Sequence, residues 1–216
     1  MPEIFDIYLL EALVNGLLLG GVLALLALGL NLVFGVIDVI WICYTELVMF
    51  GMYGVYWLNA VYGVPLVLAG ALAILLVAGM GFLLHLLVIS PILDTPPINQ
   101  LLATGGVLFF LQSLATLLFG IAFRNLGLRL PILEIAGMYI SFARLLAFGA
   151  ALAGMICLYL FLTRTFVGTA IRAVSQDREA MALMGASPQR IYVVTSAVGG
   201  AMAGIAAALL SIQYSV

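Results

Sequence analysis

The residues of this chain that could take part in chemistry are few, and several charged ones lie close together. Residues 168 to 185, GTAIRAVSQDREAMALMG, hold Arg172, Asp177, Arg178 and Glu179 in a chain with only 7% charged residues. Carboxylate and guanidinium groups on one short segment can form charge-assisted hydrogen bonds with the surface of a partner protein. The pattern is consistent with a binding surface, and no catalytic set accompanies it.

The remaining reactive residue types exclude several kinds of site. The chain has no lysine, so it can build neither a phosphate-binding P-loop nor a pyridoxal Schiff base. One histidine, His85, and two cysteines, Cys43 and Cys157, do not supply the usual zinc motifs. Both cysteines lie in or beside apolar runs, which predicts inert buried thiols. We expect no cofactor and no metal, and we expect another subunit to handle any ATP.

A second group of polar residues is scattered through apolar stretches. Burying such groups without partners costs about 1–3 kcal/mol each, so each needs a neighbouring helix or a solute. For Glu46 an interaction with a helix N-terminus competes with a solute-facing role. His85 is more typical of helix packing, although a proton-coupled carrier would also use it. The other members are Asn31, Thr104 and Gln112.

The elements that position these residues are membrane helices. Apolar residues make up 66% of the chain and the mean hydropathy is +1.33, values typical of an integral membrane protein. Several runs reach the roughly 20 residues that a helix needs to cross the bilayer. We predict an all-α polytopic bundle of about six transmembrane helices, forming a single domain over residues 1–216. The predicted spans lie near 9–35, 46–63, 65–90, 99–123, 141–163 and 189–212.

Orientation follows from the arginines of the two longer loops, which lie on opposite faces. The loop at 164–190 and its flanks carry slightly more arginines than the loop after the fourth span, so we predict that 164–190 is cytoplasmic. The first loop holds Arg164, Arg172, Arg178 and Arg190, and the second holds Arg124, Arg129 and the flanking Arg144. Six crossings then place an N-terminus without basic residues in the periplasm. The first helix lacks the positive region of a cleavable signal and is expected to be retained.

Local signals divide the loop at 164–190 into short helices. Asp177 suits the N-cap of a helix over Arg178–Met184, and Gly185 suits the left-handed residue that ends it. Ser187 and Pro188 supply an N-cap and a first-turn proline for the last span. The short helix either docks its apolar side chains into a partner's groove or rests in the lipid headgroups.

Small residues predict where helices approach each other closely. Gly16 and Gly20 in the first span, and Gly200 and Gly204 in the last, each form a Gly-xxx-Gly pair. Such pairs let two helix backbones come into contact.

Longer stretches resemble a known family of membrane permeases. REAMALMGASPQRIY is similar to the cytoplasmic EAA-type loop of ABC importer permeases, which inserts into the ATPase subunit. NGLLLGGVLALLALGLNLVFGV and TPPINQLLATGGVLFFLQSLATLLFG resemble the first helix and a middle span of branched-chain amino acid permeases. Urea and short-chain amide permeases share these features.

This resemblance implies a transport subunit without its own ATPase site, lying in the bacterial inner membrane. Its partners would be ABC ATPase subunits, a second permease (a homologous protein or another copy) and a periplasmic solute-binding protein, with no role for nucleic acid. The segment 164–190 would be the coupling loop. Its coupling residues would be Arg172, Asp177, Arg178, Glu179, Met181, Met184 and Gly185, with Arg178 and Glu179 at the ATPase rim and the methionines in its groove. Candidate residues of the solute pathway are Asn31, Glu46, Tyr53, Thr104 and Gln112.

Two departures from the family pattern affect these expectations. VIWICYTE stands where the family reads close to V-I-N-F-A-H-G-E, so Trp41, Cys43, Tyr44 and Thr45 are unusual while Glu46 matches. Because this stretch lies near the expected pathway, the solute is left open. Family members also continue beyond this length, so we expect a C-terminally incomplete chain. A secondary transporter or channel driven by an ion gradient is the alternative, and a membrane enzyme is a third.

Overall fold

A computed structural model describes residues 2–122, 124–127, 131–135, 138–185 and 187–214. Arg129, which entered the orientation argument, lies outside the described residues. The elements are helices α1 (Pro2–Ile37), α2 (Tyr44–Tyr56), α3 (Leu66–Leu84), α4 (Ser90–Ile92), α5 (Pro97–Phe119), α6 (Phe142–Arg164), α7 (Phe166–Gln176), α8 (Arg178–Leu183) and α9 (Pro188–Ser211), with strands β1 (Ile132–Ile135) and β2 (Met138–Ser141). Two π-helical segments, Trp57–Val61 and His85–Ile89, continue α2 and α3.

The predicted all-α membrane bundle is confirmed. By length and composition, five helical segments of the described chain could cross a membrane: Tyr8–Ile37, Leu66–Ile92, Pro97–Phe119, Phe142–Arg164 and Pro188–Ser211. The remaining predicted span corresponds to α2 and its π-helical continuation, where α2 itself has 13 residues. The sequence analysis missed the antiparallel β1–β2 hairpin, which pairs Ile132 with Ser141. Strands of four residues are too short for alternation to stand out.

Helix α9 forms the centre of the bundle and packs against α1, α2 and α3. Its predicted small-residue pair is confirmed: a Cβ added at Gly200 would lie 2.7 Å from the Val77 carbonyl oxygen, and one at Gly204 2.7 Å from the Ile74 Cα. The pair Gly16 and Gly20 makes no such contact with the described helices, because nothing lies within 4 Å of a Cβ at either position. That part of α1 turns its glycines away from the described helices.

Helix α5 lies at the edge of the bundle and contacts chiefly α2 and the end of α3. The buried side chains between α2 and α5 form what we call the α2–α5 seam: Cys43, Phe50, Tyr53, Leu111 and Ala115. Cys43 is buried as predicted, whereas the prediction for Cys157 is wrong, because α6 exposes it on its outer side. His85 has the predicted packing role: it is 1% exposed, with its Nδ1 2.8 Å from the Ser196 hydroxyl.

Candidate functional site

The segment 164–190 folds into the short helices that its local signals predict. The Asp177 carboxylate caps α8 by accepting hydrogen bonds from the backbone N–H groups of Glu179 (3.0 Å) and Ala180 (2.9 Å). Helix α8 ends at Leu183, one residue before the predicted end, and Gly185 follows with φ +83°. Pro188 begins α9 as predicted, but the Ser187 side chain makes no capping hydrogen bond.

Helix α7 anchors this segment to the rest of the protein. The Thr165 hydroxyl donates to the Phe161 carbonyl oxygen (2.7 Å) and accepts from the Gly168 backbone N–H (3.0 Å), which fixes the turn between α6 and α7. On the inner side of α7, Ile171 and Val174 are buried in the core that α1, α2 and α9 share. Arg172 lies on the exposed side. A movement of α7 must therefore move core side chains as well.

The outer surface of α8 combines charged and apolar side chains. Asp177, Arg178 and Glu179 are exposed, and so are Leu183 (91%) and Met184 (84%). These five residues form what we call the α8 surface. Met181, which we assigned to a partner's groove, is instead half-buried against the chain's own core.

Arg178 also approaches the linker between α1 and α2. Its Nη2 atom lies 4.0 Å from the Asp38 Oδ2 atom, and Asp38 has a left-handed φ of 62° just after α1. Both side chains are exposed, so the attraction itself contributes little to stability. The contact shows that the first turn of α8 lies beside the loop that leads to Glu46.

Glu46 and Gln112 meet across the α2–α5 seam. Glu46 lies in the first turn of α2 and is 7% exposed, and its Oε1 accepts a 3.1 Å hydrogen bond from Gln112 Nε2. The hydrogen bond to Gln112 turns the Glu46 carboxylate toward α5, and no side chain caps α2 by a hydrogen bond. Within the described part of the chain, Glu46 has no cationic partner within 4.0 Å. A buried carboxylate without a cation is suited to a positively charged group of a solute.

Aromatic rings fill the seam beyond Glu46. Tyr53 stacks on Phe119 with ring centroids 4.2 Å apart, and Trp57 lies 6.3 Å from the same ring. The Arg124 guanidinium lies over the rings of Tyr56 (5.6 Å) and Trp57 (5.4 Å). Sequence reasoning missed Arg124 and Trp57; the available signal was an arginine shortly after one span and an aromatic pair at the end of another.

The other two pathway candidates have different surroundings. The hydroxyl oxygen of Thr104 lies 2.9 Å from the Ile40 carbonyl oxygen, so it ties α5 to the α1–α2 linker, as the interhelical alternative predicts. Asn31 is exposed and lines a mostly apolar cavity of about 410 Å³ together with Trp41 and Thr45. Glu46, Tyr53 and Gln112 thus lie along the seam, with Thr104 at the linker and Asn31 apart.

The unusual stretch VIWICYTE is held firmly in place. The Tyr44 hydroxyl donates a 2.9 Å hydrogen bond to the Gly199 carbonyl oxygen of α9. Trp41 is 2% exposed, and its ring lies 6.5 Å from that of Tyr44. These residues position the start of α2, and with it Glu46.

Comparison with known proteins identifies the family of this chain. The family described as "Branched-chain amino acid transport system / permease component" matches residues 12–216. The chain belongs to this family. It is 31% identical over 230 residues to the high-affinity branched-chain amino acid transport system permease protein BraD of Pseudomonas aeruginosa, covering 100% of this chain and 74% of the relative. It is 28% identical to the permease protein LivH of Salmonella typhimurium and 27% identical to that of Escherichia coli K12, with the same coverage. No solved structure gives a significant match.

Membership of this family identifies the chain as a permease component of a transport system that crosses the membrane several times. The relatives carry the word permease in their names, and the five apolar spans of this chain fit that role. The relatives are longer, since the chain spans 74% of their length.

Proposed function

We propose that this chain is a permease subunit of an ATP-driven importer in the bacterial inner membrane, with branched-chain amino acids or similar small polar solutes as cargo. Residues 1–216 serve as one permease domain, the N-terminus is periplasmic, and 164–190 is the cytoplasmic coupling segment. The partners are ABC ATPase subunits, a second permease and a periplasmic solute-binding protein. ATP is hydrolysed on the ATPase subunits.

One observation carries the proposal: α8 is a capped, exposed helix fixed to the core through α7. ATP-driven closure of an ATPase can change access through the membrane only if a stiff element couples the two. The Asp177 cap stiffens α8, and Ile171 and Val174 transmit its displacement into the core. A second route runs from Arg178 to Asp38 and on to the start of α2.

The α8 surface provides a mixed docking face for the ATPase. Leu183 and Met184 fill its groove, since both are almost fully exposed, while Met181 supports α8 from within. Glu179 and Arg178 pair with polar groups at the rim of that groove. Exposed methionine and leucine side chains suit such a groove because they are flexible and apolar.

The solute pathway follows the α2–α5 seam. The Glu46 carboxylate has one oxygen held by Gln112 and has no cationic partner in the described chain. It is therefore suited to the ammonium group of an amino acid during passage. The stacked rings of Tyr53 and Phe119 close the seam in this conformation.

The proposal is tested by co-purification of a tagged chain with its ATPase from mild detergent. Glu179→Arg should remove the ATPase while the chain stays in the membrane, because it reverses a charge on the α8 surface. Glu134→Arg is the matched control, since Glu134 is exposed on β1, which the proposed topology places on the opposite face. Loss of the ATPase with Glu179→Arg and its retention with Glu134→Arg would support the coupling contact.

Two results would count against this function. If a folded chain expressed with its genomic neighbours never retains an ATPase, the importer proposal is wrong, and gradient-driven transport should be tested with Glu46→Gln first. If both charge reversals release the ATPase equally, its binding does not depend on the α8 surface.

A further inference from the structure

The far end of the α2–α5 seam holds an arginine with unused hydrogen-bonding capacity. Arg124 follows α5, and its Nη2 atom donates a 3.1 Å hydrogen bond to the Phe119 carbonyl oxygen. The rings of Tyr56 and Trp57 support the guanidinium, with the Arg124 Cζ atom 5.6 and 5.4 Å from their centroids. Stacking on aromatic rings fixes the plane of the guanidinium and leaves its edge for another ligand.

Several N–H groups of Arg124 and Trp57 have no acceptor in the described part of the chain. Arg124 Nε and Trp57 Nε1 are both buried, and neither has a hydrogen-bond partner in the described part of the chain. Buried N–H groups are normally paired, and leaving them unpaired costs free energy. Arg124 Nη1 also makes no hydrogen bond to the described residues, and unlike Nε it is not fully enclosed.

No acidic side chain of the described residues neutralises this site. Among the described residues, Arg124 has no carboxylate within 4.0 Å. The fork of a guanidinium matches a carboxylate in shape and charge, and an indole N–H adds a further donor. A carboxylate can therefore bind Arg124 Nη1, while Arg124 Nε and Trp57 Nε1, which are enclosed in this conformation, become available to it when the end of the seam opens.

The site is separate from Glu46 but lies on the same seam. Trp57 follows Glu46 by eleven residues, which is about 16 Å of helix, more than one small amino acid can span. The stack of Tyr53 and Phe119 lies between the two ends. Since α6 separates Arg124 from the coupling segment, Arg124 is on the opposite face of the membrane, where the proposed importer receives its solute.

We propose that Arg124 and Trp57 bind the carboxylate of the solute at the outer end of the α2–α5 seam, before its ammonium group reaches Glu46. This inference rests on the proposed import function and narrows the cargo. It favours amino acids, which carry both charged groups, over urea and amides, which carry no carboxylate.

Fluorescence of Trp57 gives a direct test with the full chain in phosphatidylcholine nanodiscs. The chain has two tryptophans, so Trp41→Phe leaves Trp57 as the reporter. Trp41 Nε1 has no hydrogen-bond partner in the described residues, and phenylalanine keeps an aromatic ring at this buried position. An SDS transition equal to that of the unsubstituted chain shows that the Trp41→Phe protein keeps its packing. Leucine should change the emission saturably, whereas leucinamide, which lacks the carboxylate, should not.

Variants of Arg124 separate binding from a structural role. Arg124→Gln should weaken leucine binding by about tenfold or more, the effect of losing roughly 1.4 kcal/mol. Arg124→Lys keeps the charge and can still cap α5, but it loses the fork, so its affinity should be intermediate. Arg144→Gln is the matched control, because Arg144 Nη1 bonds Asn15 Oδ1 (2.8 Å) on the same face away from the seam. Its leucine affinity should be unchanged.

The following results of the fluorescence and binding measurements would overturn the inference. Equal responses to leucine and leucinamide, no response to leucine, or unchanged binding in a folded Arg124→Gln protein would refute a carboxylate site. If phosphatidylglycerol in the discs shifts Trp57 emission through Arg124 and leucine does not compete, the site binds lipid phosphate.

Uptake by the reconstituted importer distinguishes this inference from the proposed function. If the wild-type complex imports leucine with ATP and Arg124→Gln changes neither binding nor uptake, the inference alone fails. If the wild-type complex shows no ATP-dependent uptake, the proposed function fails.

Discussion

Replacing Gly200 with alanine tests the packing that joins α9 to α3. The added Cβ would lie 2.7 Å from the Val77 carbonyl oxygen, 3.2 Å from the Ala78 Cα and 3.3 Å from the Gly81 Cα. All three neighbours are backbone atoms, so no change of rotamer can make room. Restoring ordinary contact distances of about 3.5–4 Å requires the two helices to separate by roughly 1 Å.

The size of the effect follows from two opposing terms. Overpacking of a tight contact costs about 1–3 kcal/mol, whereas glycine to alanine within a helix gains about 0.5–1 kcal/mol. We expect Gly200→Ala to lower the free energy of unfolding by about 1–2 kcal/mol. Gly16→Ala is the matched control: nothing lies within 4 Å of its Cβ, so it should be neutral or slightly stabilising.

The assay is reversible unfolding of the purified chain by SDS in mixed micelles, followed by circular dichroism. Gly81→Ala should behave like Gly200→Ala, because its Cβ would lie 2.7 Å from the Ser196 carbonyl oxygen at the same crossing. If Gly200→Ala proves as stable as Gly16→Ala, the close approach of α3 and α9 is incorrect.

Three further substitutions test the other sites. Asp177→Ala should destabilise α8 by about 1 kcal/mol and reduce ATPase retention in co-purification, whereas Asp177→Asn, which can still cap, should retain it. Equal retention by both variants would contradict a role for the cap. Tyr44→Phe should lower the free energy of unfolding by about 1 kcal/mol, because it removes the hydrogen bond to the Gly199 carbonyl oxygen. An unchanged SDS transition would contradict that bond. Glu46→Gln should reduce amino acid uptake about tenfold or more while preserving stability, since its amide oxygen can still accept from Gln112. Undiminished uptake would exclude Glu46 from the pathway.

The local structure of the segment 164–190 could be predicted because its signals act over a few residues. The Asp177 cap, the left-handed Gly185 and Pro188 at the start of α9 are all where the sequence places them. Capping depends on one side chain and the backbone of the next turn, so no distant contact enters. Ser187 shows the limit of such predictions: a serine can cap a helix, but here its side chain makes no capping hydrogen bond.

Partner choice between helices could not be predicted in the same way. The two Gly-xxx-Gly pairs are alike in sequence, yet Gly200 meets α3 and Gly16 meets no described helix. Gln112 bonds Glu46 across 66 residues, and Met181 turns inward to the core. In each case the local sequence shows that a residue can make a contact, but the residue it contacts lies in a distant part of the chain.

The sequence by itself determined that this is a helical membrane protein and that the segment 164–190 holds a capped short helix. In an apolar segment long enough to cross the bilayer, the backbone N–H and C=O groups can bond only to each other, so the segment forms a helix. Helix caps depend on a few adjacent residues. The tertiary structure decided that α9 is central, that Glu46 faces Gln112 and that Arg124 lies over Trp57. Those outcomes depend on which helix faces turn toward each other, and in an almost uniformly apolar chain hydropathy gives little indication of that.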